Sequence, residues 1–388
     1  MALVLALAAS LAGFGSSARA DALDDVANWQ TECVGYYTVR LPAGGIEYAL
    51  NAIQTAPGSQ TGKVLSAQPV FSDGLGAYQA GQHVDSGGVL GLDEANTAIK
   101  ISAGATADDL AQIARHANVV QRQSQDELLR KAQLFDEDSM TRKRLLEQRD
   151  RVRFFEPFGD GRIQAIHGDS GLVLYALVGG RIVNARRQLN GSPRQTIDTF
   201  LGNYQPRADF EWPAGPGVCL PHAFMMNESE PATVGVAMRL LSRPDIVVYL
   251  RDAPAAVGRP GEDMRRFLSR ARDRGLHFYA AQADARPLDE TRPARAIRID
   301  GREGMGVFVA VRRLDELAAG DGGDGEDWAF VAYVPGDPQA PKGASSDLVL
   351  RVERFARFSR EPMSQAQFRQ FVDKLAANIH RRPGAREP

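Results

Sequence analysis

The chain has 388 residues, 44% of them hydrophobic and 24% charged, with a formal net charge of −2. That balance is ordinary for a soluble globular protein and excludes the basic footprint of a nucleic-acid binder. The length suffices for two domains of usual size.

Residues 1–20 read as a secretory signal peptide. Ala2–Ala9 and Leu11–Phe14 are apolar, and Ser16-Ser-Ala-Arg-Ala20 supplies the small residues that signal peptidase needs, with cleavage between Ala20 and Asp21. The apolar run is shorter than the ~20 residues that span a bilayer. The mature chain is therefore expected in the periplasm without a membrane anchor.

The mature start, Trp29-Gln-Thr-Glu-Cys33-Val-Gly-Tyr-Tyr-Thr-Val-Arg-Leu-Pro42, has a counterpart in Trp212-Pro-Ala-Gly-Pro-Gly-Val-Cys219-Leu-Pro221. Each Trp comes shortly before a Cys that heads a short apolar stretch. Two cysteines in an exported protein make Cys33–Cys219 a candidate disulfide, with two buried thiols as the alternative.

Strands are predicted at Val34–Leu41 and around Glu47–Ile53, and the Gly-, Ser- and Gln-rich stretch 56–91 reads as loops with short strands. Thr106 has the character of a helix N-cap, with Asp109 three residues on and Leu110, Ile113, Ala114 and Ala117 on one face. Residues 121–151 are dense in both charge signs and read as helical and solvated. A meander follows at Val152–Phe155, Arg162–Ile166, Leu172–Val178 and Arg181–Ala185, separated by Gly-rich turns. Ser192 and Pro193 open a short helix. The Pro- and Gly-rich run 205–216 is the expected boundary between an N-terminal domain, 21–212, and a C-terminal domain, 213–388.

The second half repeats this order. Strands are predicted at Val234–Leu241 and Ile246–Arg251, then a helix over 261–274. Further strands follow at Leu276–Ala281, Ala296–Ile299, Gly306–Val311, Trp328–Val334 and Leu348–Val352. Ser364-Gln-Ala-Gln367 is a capping box before a stripe of Phe368, Phe371, Val372, Leu375 and Ile379. The fold class expected is α+β: two sequential domains, each an antiparallel sheet with helices on one face.

Four strings test for chemistry. Gly168-Asp-Ser170-Gly171 beside His167 is similar to the nucleophile segment of chymotrypsin-like proteases, but it sits at hairpin spacing and is common turn composition. The histidines at 83, 116, 167, 222, 277 and 380 are scattered without zinc-ligand spacing. Gly58-Ser-Gln-Thr-Gly62-Lys63 is one residue short of a phosphate loop. Gly320-Asp-Gly-Gly-Asp-Gly-Glu-Asp327 lacks the alternating ligands of a calcium loop. No catalytic, metal or cofactor residue is assigned, and binding is favoured over catalysis.

On several of these segments the chain resembles the two-domain periplasmic immunity proteins that protect bacteria from type VI secretion lipase effectors of the fourth class. The segments are Cys33–Pro42, Gly217-Val-Cys219-Leu-Pro221, Arg302-Glu-Gly-Met-Gly-Val-Phe308, Asp327-Trp-Ala-Phe-Val-Ala-Tyr333 with its Tyr333-Val-Pro-Gly-Asp337 exit, and His380-Arg-Arg-Pro383. The resemblance implies a stoichiometric inhibitor without cofactor, monomeric when free, whose partner is a cognate secreted lipase. It would block the lipase's substrate entrance or hold its lid closed, and it carries over no contact residue. Two other readings stand beside it: a binding module for a different toxin or envelope partner, and an exported hydrolase using Ser170.

Overall fold

The computed structural model describes residues 25–51, 69–70, 85–92, 97–168, 171–189, 191–226, 232–255, 283–289, 294–313, 326–340 and 345–385. The signal segment, the Gly58–Lys63 loop, the helix expected at 261–274, the strand expected at Leu276–Ala281 and most of the acidic loop 320–327 lie outside these residues.

The described chain is α+β. Its largest sheet is antiparallel and runs in the order Ala283–Pro287, Arg302–Arg313, Glu326–Val334, Asp347–Arg354, Ile246–Ala253, Ala232–Leu240, Asp85–Leu92, Thr97–Gly104, Arg181–Gln188, Gly171–Val178, Ile163–His167, Glu156–Phe158. Side-chain patterning places each strand. In Gly171–Val178, Leu172, Leu174 and Ala176 are buried while their neighbours are partly exposed, the alternation of a strand with one covered face. Ile246–Ala253 is buried almost throughout, as a central strand covered on both faces must be.

Strand pairing does not stop at residue 212. Ala232–Leu240 pairs with Asp85–Leu92, with Val234 opposite Leu90, and also with Ile46–Tyr48, with Met238 opposite Tyr48. The first strands belong with the last: Tyr37–Leu41 pairs with Ile379–Arg381. An unpaired strand edge leaves backbone donors and acceptors to water, and these cross-pairings cover such edges from both halves. One apolar cluster accordingly joins Tyr37, Ile99, Leu174, Leu250, Phe330 and Leu375. A small sheet of Tyr204–Pro206, Ala223–Met226 and Gly217–Leu220 lies at the expected boundary.

Helix α1, Ala107–Ala132, opens on the expected Thr106–Asp109 capping box. Helix α2, Met140–Asp150, is capped by Ser139, and α3, Pro193–Asn203, starts with Ser192 as cap and Pro193 in its first turn. Helix α4, Gln365–Ala377, begins with the Ser364–Gln367 box and buries Phe368, Phe371, Val372 and Leu375. Phe368 meets the rings of Phe308 and Trp328, and Phe371 meets Trp29.

Three strand expectations are corrected. Val34–Leu41 is two strands, Gln30–Val34 and Tyr37–Leu41, folded into a hairpin. The turn uses Gly35 at φ +59°, where a Cβ would lie 2.7 Å from Asp252 Oδ2, so only glycine fits. Residues 152–155 are not a strand; pairing starts at Glu156, because Asn118 of α1 takes both backbone polar groups of Phe155 at 2.7 and 3.0 Å. The strand near Glu47 is broken at Ala49, whose N–H donates to Ala237 O.

Candidate functional site

The structure brings Cys33 and Cys219 together as a disulfide, with Cα atoms 5.6 Å apart across a sequence separation of 186. Both are buried against Phe224. On either side of the bridge Gly35 and Cys219 exchange two backbone hydrogen bonds of 2.9 Å. The covalent tie thus sits inside a short β-bridge between the N-terminal hairpin and the boundary sheet.

Beside it lies a buried ion pair. Arg207 and Glu32 are 2.6 Å apart and neither side chain is exposed. Burying two charges is costly unless every polar atom is satisfied, and here the satisfaction is nearly complete. Arg207 Nε donates to Leu220 O and Ala223 O, Nη1 to Ala208 O and Glu211 O, and Nη2 to Cys33 O and the Tyr48 hydroxyl. Glu32 accepts from Cys33 N at 2.7 Å and from Phe210 N at 2.6 Å. Burial, then the negative charge of Glu32, pushes the Tyr48 hydroxyl well above the usual phenol range, so it stays neutral.

A second buried arginine comes from the C-terminal tail. Arg382 stacks on Phe224, and its guanidinium donates to Pro213 O, Gly215 O and Gly217 O at 2.8–2.9 Å. Its backbone N–H donates to Tyr36 O. Two arginines therefore grip the 207–217 loop through its carbonyls, and Trp212 is left 49% exposed on it. Phe210 and His222 hold φ of 61° and 57°, uncommon for residues with a side chain. Phe210 is fixed there by Glu32, and His222 Nδ1 lies 3.1 Å from Asp209.

On the other side of the hairpin Arg302 donates to Ser346 O at 2.6 Å and to the Tyr37 hydroxyl at 3.0 Å. Asp252 accepts from Tyr36 N at 3.0 Å. Burial pushes the Asp252 carboxyl up to about 6, against hydrogen bonds from Ser346 and Tyr36 that pull it down. Burial also raises the Tyr37 hydroxyl, with the Asp252 charge adding to the effect.

The donors of this junction end mostly on backbone carbonyls. Its work is mechanical: it fuses the hairpin, the boundary loop and the C-terminal tail. Of the sequence candidates, Cys33 and Cys219 meet here. His116, His167 and His380 are exposed and His222 is partly buried. Ser170 lies outside the described residues; its flanks pair as a hairpin, with His167 opposite Leu172 and Gly168 N donating to Gly171 O. Among the described residues no three His, Cys, Asp or Glu gather as a metal site, and no helix is long and apolar enough to cross a membrane. Sequence reading did not single out Glu32, Tyr48, Arg207 or Asp252. Arg302 and Arg382 did stand inside segments that carry the resemblance.

No family model and no curated protein matches the chain. Among solved structures, the chain is similar to the apo immunity protein TplEi of the type VI secretion system from Pseudomonas aeruginosa. The identity is 14%, over 92% of this chain and 99% of that one, at a TM-score of 0.48. A structure of the Tle4–Tli4 complex aligns at 14% identity over 92% of this chain and 99% of that one, at a TM-score of 0.47. The solution structure of cyanobacterial PsbP from Synechocystis sp. PCC 6803 aligns at 12% identity over 58% of this chain and 96% of that one, at 0.23.

Proposed function

We propose that the chain is a periplasmic immunity protein, not an enzyme, that binds a cognate type VI secretion lipase and holds it inactive. One observation carries the reading. The segments that bear the sequence resemblance are scattered over more than three hundred residues, yet they converge on one junction. Cys33 is bonded to Cys219. Tyr37 receives Arg302, and Gly217 receives Arg382 from the His380–Pro383 segment. The Arg302–Phe308 and Asp327–Tyr333 segments pair side by side, with Phe308 opposite Phe330.

A disulfide within the junction suits an oxidising compartment, which supports export to the periplasm. A stoichiometric inhibitor must bind tightly, because one uninhibited lipase molecule turns over many lipids. A stiff body helps, since little conformational entropy is then lost on binding. The interface expected is at least the usual ~1,600 Å² of a stable complex.

The test is co-expression with a candidate type VI secretion lipase, both directed to the periplasm; where a lipase gene adjoins this one, that lipase is the candidate. Protection of the cells and recovery of a stoichiometric complex are expected. Full toxicity together with no complex on purification refutes the reading. Sedimentation of the chain alone is expected to give a monomer.

A further inference from the structure

Cys33 and Cys219 are the only cysteines of the chain, and folding hides both. They are 1% and 0% exposed. Phe224 packs on the bridge, with Met226 beside it. The Phe224 ring in turn carries the Arg382 guanidinium at 5.1 Å, and that guanidinium is held by the carbonyls of Pro213, Gly215 and Gly217. Backbone contacts fix the two cysteines themselves. Cys33 N donates to Glu32 Oε1, Cys33 O accepts from Arg207, and Cys219 exchanges both its backbone polar groups with Gly35. Three separate pieces of chain thus close over the bridge: the hairpin at 30–41, the boundary sheet with its loop, and the tail that begins with Ile379–Arg381.

None of these covering contacts needs the sulfur–sulfur bond. The Arg207–Glu32 pair, the Gly35–Cys219 backbone bonds and the Arg382 clamp are non-covalent, so they close over two thiols as readily as over a disulfide. Thiols closed in this way are inert. Thiol–disulfide exchange is attack by a thiolate on a disulfide sulfur and depends on access. Burial in apolar surroundings also keeps the proton on sulfur. Folding ahead of oxidation therefore traps a dithiol, and the relative rates decide which comes first. Single β-rich domains fold in about milliseconds to seconds, whereas uncatalysed disulfide chemistry takes minutes to hours. Oxidation that precedes docking has to be catalysed.

We propose that the chain is a substrate of a thiol–disulfide oxidase that acts while the hairpin is undocked, and that docking of hairpin and tail then seals the bridge against oxidant and reductant alike. The inference rests on the export part of the reading above and not on the partner. One cysteine thiolate of the chain attacks the oxidase's disulfide, forms a mixed disulfide and expels one oxidase thiolate. The other cysteine thiolate attacks the chain's own sulfur in that mixed disulfide, closes the Cys33–Cys219 bond and expels the second oxidase thiolate. Two electrons pass to the oxidase, and the two protons lost by the chain's thiols balance the two that the oxidase takes up. Two cysteines admit one pairing, so no isomerising step follows.

The test needs no lipase, so its failure and the failure of the immunity reading are distinguishable. The mature chain is reduced in urea and diluted to refold, and its thiols are counted by maleimide labelling after a denaturing quench. With a periplasmic thiol oxidase in its disulfide form present at dilution, complete loss of thiols is expected. With glutathione disulfide alone, most chains are expected to fold with both thiols intact. Oxidase added after refolding is expected to act about 100-fold more slowly, because reaction then waits for local opening. The native oxidised chain is expected to lose its bridge to dithiothreitol about 100-fold more slowly than the chain in urea. Arg382→Ala, which loosens the cover, is expected to speed that native reduction about tenfold while amide exchange in α4 stays parental. Late addition of oxidase that works within threefold of early addition overturns the inference, as does a native bridge cleaved within threefold of its rate in urea. Oxidation by glutathione disulfide as complete as that by the oxidase overturns the need for an enzyme. An Arg382→Ala reduction rate within threefold of the parent overturns the part given to the tail.

Discussion

Arg207→Met tests the junction most directly. The substitution keeps an unbranched, flexible stem, shorter by two atoms, and removes the five N–H donors. Glu32 is then a buried carboxylate without its cation, and breaking a buried pair from one side costs about 3–5 kcal/mol. Five backbone carbonyls, those of Cys33, Ala208, Glu211, Leu220 and Ala223, lose a donor as well. Each that stays dry adds roughly 1 kcal/mol or more. The sum approaches the whole stability of an ordinary domain, about 5–15 kcal/mol. Urea unfolding of the disulfide-intact protein, followed by fluorescence, is expected to show a loss of at least ~4 kcal/mol.

The double variant Glu32→Leu/Arg207→Met sharpens the point. Where two buried charges satisfy only each other, apolar replacement of both is often neutral or stabilising. Arg207 spends most of its donors on carbonyls, so the double variant is expected to remain ~3 kcal/mol or more below the parent. A single-variant loss under ~1 kcal/mol, or recovery of parental stability in the double variant, would refute the assignment of Arg207 as the binder of these carbonyls.

Replacing Cys33 and Cys219 by Ala reopens a loop of 186 residues, for which chain entropy alone sets a loss of about 5 kcal/mol; urea midpoints with and without reductant measure it. Asp252 contributes a pH dependence of the opposite sign to most carboxylates. Its folded pKa of about 6 stands above the ordinary 3.8, so the folded state binds the extra proton and stability falls as pH rises from about 4 through 6, by at most ~3 kcal/mol. The Asp252→Asn variant is expected to gain on the parent across that window when unfolding is followed from pH 4 to 7, and parallel curves would contradict the claim. Arg382→Ala frees the carbonyls of Pro213, Gly215 and Gly217; amide hydrogen exchange across residues 208–217 is expected to rise at least tenfold there, with no such change in α4.

What the sequence discloses is what short-range chemistry decides. The Thr106 and Ser364 caps are read correctly because each box closes over three residues. The Gly179–Gly180 hairpin is likewise local, both glycines taking positive φ between paired strands. The cysteine pair follows from a count and a compartment. The hairpin at Gly35 is hidden because Val34–Leu41 reads as an unbroken strand-forming run. The break is imposed by Asp252, which takes the Tyr36 N–H from 216 residues away. Arg207 is hidden for a similar reason. In a Pro- and Gly-rich run it resembles a surface residue, and only the folded boundary sheet surrounds it with carbonyls. The run Val152–Phe155 has the composition of a strand, but Asn118 claims the backbone of Phe155 before a neighbouring strand can.

The residues that carry the resemblance and the exposed large apolar residues are different sets, and burial explains the difference. Cys33, Tyr37, Gly217, Cys219, Phe330 and Arg382 are all at or near zero exposure or packed into the junction. Their substitution alters the scaffold whatever the chain binds. Leu134, Phe135, Met140 and Trp212 are exposed and fall in none of those segments. Exposed positions tolerate change at little cost in stability. On the immunity reading proposed above, selectivity for one lipase has to come from exposed residues of this kind, such as Trp212 on the loop that Arg207 and Arg382 clamp. The buried junction thus sets the scaffold, and on that reading the partner is chosen by residues that no motif contains.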